Sequence, residues 1–313
     1  MQHGWSVGVV VPARNEELHI GAVLETLPTF VDLVVVINDG STDATERCAQ
    51  EASCSATVII LNTAGIGVGG AIDMGHRCLL EQLEPPFASA VMAGDGQMNP
   101  DDLEAILTPV TSGQYDHVKG DRSIHPEGYN KMPRLRKIAS FILAFFTSLA
   151  AGQRIRDPQC GYTATSHTVL ENWKWEKSWS GYGYPNFWLI QLATFGWTIG
   201  HIPVESIYRK ETSGIKPASF FIRVGAMMAV EHHRRNVSWV RSKETPMATY
   251  GAMLAYSLGW MLLFNGMFGA MSTVLGIEGW LSYLAGIFCW IVAHLFDRMA
   301  TVAKQKVNKH ATT

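Results

Sequence analysis

The stretch ASAVMAGDGQMNPDDL, from Ala88 to Leu103, contains an apolar run that stops at a Gly-Asp-Gly turn. Asp95 stands between the two glycines, and Gln97 follows shortly after. An ordinary turn would use the same residue types, since Gly and Asp both favour turns. The alternative is a metal and phosphate site at the carboxyl end of a buried strand, and the rest of the chain distinguishes the two.

Three similar apolar runs precede this stretch, and a helical pattern follows each of them. The runs are WSVGVVVP, DLVVVIND and ATVIILN, and the segments between them show helical spacing or the start of a capped helix. Continuous apolar strands that alternate with helices indicate a parallel, doubly wound sheet with both faces covered. We therefore predict an α/β domain built on such a sheet.

Polar residues stand where each of the four strands ends. They are Arg14, Asn15 and Glu16 after the first strand, Asn38 and Asp39 on the second, Asn62 on the third and Asp95 after the fourth. Ligands of such sheets bind outside the carboxyl ends of the strands, so one rim is the predicted site. The Gly-rich loop TAGIGVGG follows the third strand and can turn backbone N–H groups toward a phosphate. Its GxGxGG spacing and its position argue against a plain NAD or P-loop site.

The composition argues against several other classes of protein. The net charge of -2 gives no indication of nucleic-acid binding. The five cysteines are odd in number and show no CxxC spacing, which argues against a disulfide framework and a zinc knuckle. The first residues lack a basic segment followed by a long apolar run and a cleavage site, so we predict no signal peptide.

Two uncharged runs toward the C-terminus predict a transmembrane hairpin. Residues 247–277 contain no Asp, Glu, Lys or Arg over 31 residues, and residues 279–296 form a second such run of 18. A spanning helix needs about 20 apolar residues. A pair of buried core helices is the alternative, although such helices are rarely uncharged over this length. Basic flanks, EHHRRNVSWVRSKE and DRMATVAKQKVNKH, predict that both ends of the hairpin lie in the cytosol.

These patterns divide the chain into four parts. They are a cytosolic domain over 1–218, an interfacial amphipathic helix and basic linker over 219–246, the hairpin over 247–297 and a basic cytosolic tail over 298–313. The helix over 219–235 fits a plain core-facing helix equally well. The apolar segment SFILAFFTSLAAG over 140–152 is of middling length, and such a run is more often core or interfacial than spanning.

Three smaller features of the sequence leave alternatives open. Arg234, Arg235, Arg241 and Lys243 are expected near lipid headgroups, or they only set the topology of the hairpin. The cluster WKWEKSW, over 173–179, either stacks on a sugar or packs in the protein. His232 and His233 resemble a metal-ligand pair, but adjacent residues on a helix point apart, so no metal binding is expected there.

The motifs VVPARNE, VINDGSTDAT, NTAGIGVGGA and MAGDGQMNPDDL together resemble family 2 glycosyltransferases with the GT-A fold. Within that family they are most similar to the dolichyl- or polyprenyl-phosphate mannose or glucose synthase group. The match continues through VKGDRS, MPRLRKIAS, DPQCGYTA and GYGYPN to YRKETSGIK, and covers roughly residues 5 to 220. The resemblance implies an α/β fold with a doubly wound mixed sheet, followed by the C-terminal two-helix transmembrane hairpin. A QxxRW motif, which processive synthases of the family carry, is absent from the sequence.

The resemblance also implies how the donor nucleotide is bound. Pro12, Arg14 and Glu16, with Asp39, would hold the nucleotide base and ribose. Gly67 and the loop around it would lie against the nucleotide.

The matched metal motif departs from the family pattern. Asp95 and Gln97 would bind Mg²⁺ or Mn²⁺ on the diphosphate, but Ala93 occupies the position where the family often has a first Asp. One carboxylate, one amide carbonyl and the diphosphate oxygens are still sufficient for magnesium, which commonly uses one or two carboxylates. Asn38 is a milder departure from an Asp, since Asn also accepts a hydrogen bond.

The remaining matched residues would surround the phosphates and the sugar. Arg122 and Arg136 would face the phosphates, and Asp157, Gln159 and Gly161 would line the region where donor sugar and acceptor meet. Arg209, Ser213 and Lys216 would cap the site and help to hold phosphate. The residues expected to act in catalysis are Asp95, Arg122, Asp157, Gln159, Arg209 and Lys216.

The predicted reaction is therefore the metal-dependent transfer of one hexose from a GDP- or UDP-linked sugar to a polyprenyl phosphate at the cytosolic membrane face. Inversion at the anomeric carbon is implied by the family alone. A phosphate monoester has a second pKa of about 6, so this acceptor would arrive ionised and need no general base. Two alternatives stay open: transfer to the hydroxyl of another membrane lipid, and a non-catalytic scaffold that binds nucleotide sugar, for which Ala93 is the motivation.

Overall fold

A computed structural model describes residues 1–126, 132, 134–205, 207, 217–242, 245–268 and 279–311. Seven strands form one sheet: β1 (Ser6–Ala13), β2 (Leu33–Asp39), β3 (Thr57–Thr63), β4 (Phe87–Val91), β5 (His117–Asp121), β6 (Thr163–Ser166) and β7 (Ile199–Pro203). Their order is β3-β2-β1-β4-β6-β5-β7, and β6 runs antiparallel to both of its neighbours. The other pairings are parallel, so the predicted doubly wound mixed sheet is confirmed.

Ten helices are described around and after this sheet. They are α1 (Ile20–Glu25), α2 (Thr45–Glu51), α3 (Val68–Gln82), α4 (Leu103–Thr111), α5 (Arg134–Ala151), α6 (His167–Glu171), α7 (Tyr184–Phe195), α8 (Pro217–Val240), α9 (Met247–Phe268) and α10 (Gly279–Ala311). Helices cover both faces of the sheet, and two hydrophobic clusters result. In β1, Val10 belongs to one cluster while Val9 and Val11 belong to the other, which explains the continuous apolar run of this strand.

Helix α3 packs closely on the sheet because two glycines remove side chains from the contact. A Cβ on Gly8 would lie 2.6 Å from Leu79 Cδ2, and a Cβ on Gly75 would lie 2.2 Å from Val10 Cγ1. Each glycine therefore accommodates a large apolar side chain of the opposite element. This packing holds the Gly-rich loop at the start of α3 beside the ends of β1 and β2.

Helices α9 and α10 pack against each other and are each long and apolar enough to cross a membrane, with mean hydropathies of 1.3 and 1.6. Their contact uses small residues, since a Cβ on Gly259 would lie 2.6 Å from Trp290 and one on Gly286 would lie 2.8 Å from Leu263. The two predicted C-terminal helices are thereby confirmed as candidate spans. Helix α10 continues without a break through the segment predicted as a tail, as far as Ala311.

Helix α8 joins the α/β domain to this hairpin. One face buries Val224 and Met228, and the other exposes Ile222, so the helix is core-facing and still has an apolar outer side. The prediction that Arg235 lies near headgroups is wrong, because its side chain is fully buried and donates hydrogen bonds to Asp297 and to the Ala151 carbonyl. Lys243 lies outside the described residues.

Candidate active site

The parallel register brings the ends of the first three strands to one rim of the sheet. Ala13 pairs with Asn38, and Asn38 pairs with Asn62. The Asn38 side chain donates to Asn62 Oδ1 at 2.8 Å, so both amides are held along the rim. The structure therefore places the segments predicted to bind a ligand next to one another.

Asp39 shapes the Gly-rich loop. Its Oδ1 accepts hydrogen bonds from the Thr63 hydroxyl at 2.5 Å and from Ile66 N at 2.7 Å, while Oδ2 accepts from Gly67 N at 2.9 Å. Gly67 has a φ of +85°, and a Cβ there would lie 2.5 Å from the Ser180 carbonyl oxygen. Only glycine combines this backbone conformation with so close an approach. The Asp39 carboxylate thus holds the Gly-rich loop in its conformation. Its contact with the ribose of a bound nucleotide stays a prediction.

The loop after β1 is fixed to the loop after β2. Asn15 adopts a φ of +57°, its backbone N–H donates to Ser41 Oγ at 2.9 Å, and its side chain accepts from Thr42 N at 2.9 Å. The Glu16 N–H donates to Thr45 Oγ1 at 2.7 Å. Arg14 is exposed beside this loop, and its Nη1 lies 3.8 Å from where a Cβ on Gly65 would stand. Arg14 and the Gly-rich loop therefore share one side of the rim.

Asp95 and Gln97 lie half-buried in one turn after β4. Asp95 Oδ1 accepts a hydrogen bond from Gln97 N at 3.0 Å, and Gly94 N donates to the Pro12 carbonyl at 3.0 Å, which joins this turn to β1. The backbone carbonyl of Gln97 accepts a hydrogen bond from Ile207 N at 3.0 Å, so the segment after β7 also packs on the turn.

The donor set in this turn fits Mg²⁺ or Mn²⁺, because a carboxylate and an amide carbonyl are oxygen ligands. Within the described part of the chain, no cluster of three or more His, Cys, Asp or Glu residues includes Asp95. Oxygen atoms from a bound diphosphate and water would have to complete the coordination.

Arg122 and Asp157 form a buried ion pair between the end of β5 and the segment before β6. Arg122 Nε lies 2.7 Å from Asp157 Oδ2, and Nη2 lies 2.9 Å from Oδ1. Burial alone would raise the pKa of Asp157, but hydrogen bonds and the positive charge of Arg122 outweigh it and lower that pKa. The sequence suggested separate roles, with Arg122 facing phosphates and Asp157 lining the region where donor sugar and acceptor meet. In the structure, Nε and Nη2 of Arg122 both donate to Asp157.

The other predicted residues are spread more widely. Gln159 donates to the Asn186 side chain, which itself donates to Thr147 Oγ1 at 2.7 Å, so Gln159 is tied to α7 and α5. A Cβ on Gly161 would lie 3.0 Å from the methyl group of Met98, which places Gly161 against the loop that carries Asp95. Arg136 is exposed on α5. Arg209, Ser213 and Lys216 lie outside the described residues.

Two groups of buried polar residues were missed by sequence reasoning. Asp73 in α3 accepts hydrogen bonds from Ser178 and from the Tyr184 hydroxyl, and burial raises its pKa to about 6. Lys119 in β5 is fully buried and donates to the Cys160 carbonyl, and burial lowers its pKa. A lysine inside the continuous strand HVKGD is the one available sequence signal.

The tryptophan cluster packs inside the domain. The rings of Trp173 and Trp188 have centroids 3.6 Å apart, and Trp173 is buried in the hydrophobic cluster that includes α7. Of the two alternatives for this segment, packing is the one that the structure supports for Trp173.

The family model described as Glycosyl transferase family 2 matches residues 8–173, which span β1 to the segment after α6. The chain belongs to this family. It is therefore a glycosyltransferase, and the resemblance seen in its motifs is confirmed.

The matches to two curated relatives cover most of the length of each relative. An uncharacterised protein of Methanocaldococcus jannaschii is 32% identical over 201 residues, which cover 64% of this chain and 81% of the relative. The UDP-N-acetylglucosamine--dolichyl-phosphate N-acetylglucosaminyltransferase of Methanococcus voltae is 27% identical over 215 residues, covering 64% and 85%.

A solved structure shares the fold. Glucosyl-3-phosphoglycerate synthase of Mycobacterium tuberculosis, crystallised with Mn²⁺, UDP and glucosyl-3-phosphoglycerate, superposes with a TM-score of 0.51 at 18% identity. The match covers 74% of this chain and 80% of that enzyme. The similarity establishes the GT-A architecture of the α/β domain.

Proposed function

We propose that this glycosyltransferase moves one hexose from a nucleotide-diphosphate sugar to a polyprenyl phosphate at the cytosolic face of a membrane, with inversion. The α/β domain up to about residue 218 would carry the chemistry, and α8 with the hairpin would hold it on the bilayer. The named relative from Methanococcus voltae supports a lipid phosphate as the acceptor class.

The observation that carries this proposal is a cavity of about 1770 Å³ between α5, α8 and the hairpin. Apolar side chains form much of its wall, and among them are Phe146, Leu149, Met228, Ile287 and Trp290. Four exposed arginines, Arg154, Arg234, Arg241 and Arg298, also line it. Apolar walls with guanidinium groups match a molecule that has an isoprenoid chain and a phosphate head.

The outer face of α5 supports contact with the bilayer. Phe141 is 74% exposed, and Ile138 and Phe145 are also largely exposed on the same helix. Apolar patches of this kind on a soluble surface usually mark an interaction site. A helix that buries one face in the domain and presents aromatic and aliphatic side chains on the other suits the membrane interface.

The orientation of the domain follows from charge. The segment before α9 and the last third of α10 are rich in Lys and Arg, and basic flanks of a hairpin remain on the cytosolic side. The acceptor phosphate and a cytosolic nucleotide sugar would then meet on the same side of the membrane as the α/β domain.

The chemistry requires stabilisation of the leaving nucleoside diphosphate rather than a base. The acceptor phosphate has a second pKa of about 6 and is ionised at neutral pH. Asp95 and Gln97 would hold Mg²⁺ or Mn²⁺, which when bound supplies positive charge to the diphosphate. The Gly-rich loop would present backbone N–H groups to the nucleotide, and Asp39 would keep that loop in shape.

A donor and acceptor panel tests this function. The purified protein in detergent is given polyprenyl phosphate, Mg²⁺ or Mn²⁺, and radiolabelled GDP-mannose, UDP-glucose or UDP-N-acetylglucosamine, and label extracted into organic solvent is counted. Metal-dependent lipid label from one donor is the expected result and identifies the sugar. If label forms only with a hydroxyl lipid such as diacylglycerol, that lipid is the acceptor and polyprenyl phosphate is not. Nucleotide binding without any transfer would favour the scaffold.

A further inference from the structure

His232, His294 and Asp297 converge where α8 packs on α10, away from the turn that carries Asp95. One ligand atom from each of the three residues lies within 4.8 Å of the other two. His294 and Asp297 are three positions apart on α10 and therefore share a face of that helix. His232 approaches from α8, so the cluster joins the α/β side of the molecule to the hairpin.

One polar atom of each side chain is already occupied. His232 Nδ1 lies 3.4 Å from the Ala150 carbonyl oxygen, His294 Nδ1 lies 2.9 Å from the Tyr256 hydroxyl, and Asp297 Oδ2 accepts from Arg235. A carbonyl can only accept, so the proton of the neutral His232 ring belongs on Nδ1 and Nε2 carries a lone pair. These outer contacts are of the kind that orient metal-binding imidazoles and carboxylates.

The atoms left over are His232 Nε2, His294 Nε2 and Asp297 Oδ1, and all three are buried without a hydrogen-bond partner among the described residues. Buried polar atoms in native proteins are nearly always satisfied. Three such atoms in one cluster require a common partner. With the His294 proton on Nδ1 and donated to the Tyr256 hydroxyl, a cation satisfies lone pairs from two imidazoles and a carboxylate at once.

We propose that His232, His294 and Asp297 bind one divalent transition-metal ion through these three atoms. Two imidazoles and one carboxylate are a ligand set for Zn²⁺ or Fe²⁺, whereas Mg²⁺ prefers oxygen ligands throughout. The site therefore differs in chemistry from the one expected at Asp95 and Gln97. Asp297 would bridge, with Oδ2 on Arg235 and Oδ1 on the metal.

The ion would lie at the wall of a cavity and would have a structural role. The cavity between α5, α8 and the hairpin is lined by both His232 and His294. The metal would tie α8 to α10, and through the Ala150 carbonyl it would also fix the end of α5. It would thereby hold the α/β domain in place on the hairpin.

The test uses the full chain, purified in detergent without a polyhistidine tag and stripped with a chelator. Co²⁺ is titrated in while its visible ligand-field bands are recorded, and Zn²⁺ is then used to displace it. We expect one equivalent of Co²⁺ in the wild type, with the bands lost in His232→Asn and His294→Asn. The neighbouring variant His233→Asn is the matched control and should bind normally.

Two further variants keep the result interpretable if a ligand variant fails to fold. Tyr256→Phe removes only an outer partner and should weaken Co²⁺ binding by about 10-fold. Asp95→Ala should leave the Co²⁺ bands unchanged, which separates this site from the predicted catalytic metal. A wild type that binds no stoichiometric Co²⁺ or Zn²⁺, or ligand variants that bind as well as His233→Asn, would overturn the proposal.

Discussion

Arg122 and Asp157 stand 35 positions apart in the chain and meet in a two-pronged, buried ion pair, with Nε 2.7 Å from Oδ2 and Nη2 2.9 Å from Oδ1. Paired contacts of this form fix the orientation of both groups as well as their separation. Arg122 follows β5 and Asp157 lies in the segment before β6, so the pair locks two loops at the same rim of the sheet.

Removing the carboxylate of this pair should destabilise the protein strongly. Asp157→Asn removes the carboxylate charge that both Nε and Nη2 of Arg122 contact, and breaking a buried ion pair typically costs about 3–5 kcal/mol. Because the pKa of Asp157 is lowered in the folded state, its stabilisation is complete above the ordinary value of 3.8 and is lost as the pH falls below it. Unfolding in detergent measures the effect. The exposed acid in Asp101→Asn is the control, and equal losses in both variants would contradict the assignment.

The Asp95 carboxylate is expected to act in turnover rather than in folding. Asp95→Asn keeps the size of the side chain but removes the charge, and loss of one such electrostatic contact lowers the rate by about 10²–10³. The melting temperature should stay close to that of the wild type, because Asp95 is only half-buried. Steady-state transfer at several Mg²⁺ and Mn²⁺ concentrations checks this. Unchanged turnover would remove Asp95 from the metal site.

Asp39 should control nucleotide affinity through the loop that it holds. In Asp39→Asn an amide N–H₂ would face one of the three donors that now point at the carboxylate. A hydrogen bond to a charged group is worth about 1.5–3 kcal/mol, so we expect nucleotide binding to weaken by about tenfold or more. Calorimetry gives the affinity, and faster amide exchange at Ile66 and Gly67 should accompany the loss. The exposed substitution Glu51→Gln should change neither quantity.

Gly67 should tolerate no side chain. In Gly67→Ala the new Cβ would meet the Ser180 carbonyl at 2.5 Å in a backbone of positive φ. Gly113 also has a positive φ, of +71°, but a Cβ added there would have no atom within 4 Å. Gly113→Ala therefore reports the backbone strain alone, about 1–2 kcal/mol. A larger loss of stability in Gly67→Ala, together with weaker nucleotide binding, is expected; equal losses would show that the contact with Ser180 is unimportant.

Asp73 should make stability depend on pH between about 4 and 6. Its folded pKa is about 6, above the ordinary 3.8, so the folded state binds the proton more tightly than the unfolded chain. Stability from this group is therefore greatest at low pH and declines as the pH rises through that window, by up to about 3 kcal/mol. Melting curves of Asp73→Asn should lack this decline, while those of Glu104→Gln should follow the wild type. A decline that persists in Asp73→Asn would assign it to another group.

Much of the fold was predictable because its signals are local. The strands β1, β2 and β4 show continuous apolar runs that result from burial on both faces, which each strand experiences along its own length, and the edge strand β3 shows a similar run. The antiparallel strand β6 was not predicted separately, since only four residues, TATS, form it and their pattern is weak. The candidate membrane spans were also recognisable from a local signal, because a helix that is uncharged over such a length is rarely found outside a membrane.

The site was only partly predictable, because its chemistry depends on which side chains meet. Asp39 was recognised as a rim residue, but the three donors that it binds come from the end of β3 and the loop after it, more than 20 positions away. Arg235 looked like a surface cation within a basic segment. Its partner Asp297 lies 62 positions later on another helix, and only packing of α8 on α10 shows that the two are buried together.

The sequence by itself determined the alternation of the first four strands with helices, the two long apolar helices and the family, since each of these depends on periodicity, run length or spacing along the chain. Only the tertiary structure decided that Arg122 pairs with Asp157, that Asp39 holds the Gly-rich loop and that His232 meets His294 and Asp297. The physical reason is that hydrogen bonds and ion pairs act over about 3 Å in space, whatever the distance along the chain.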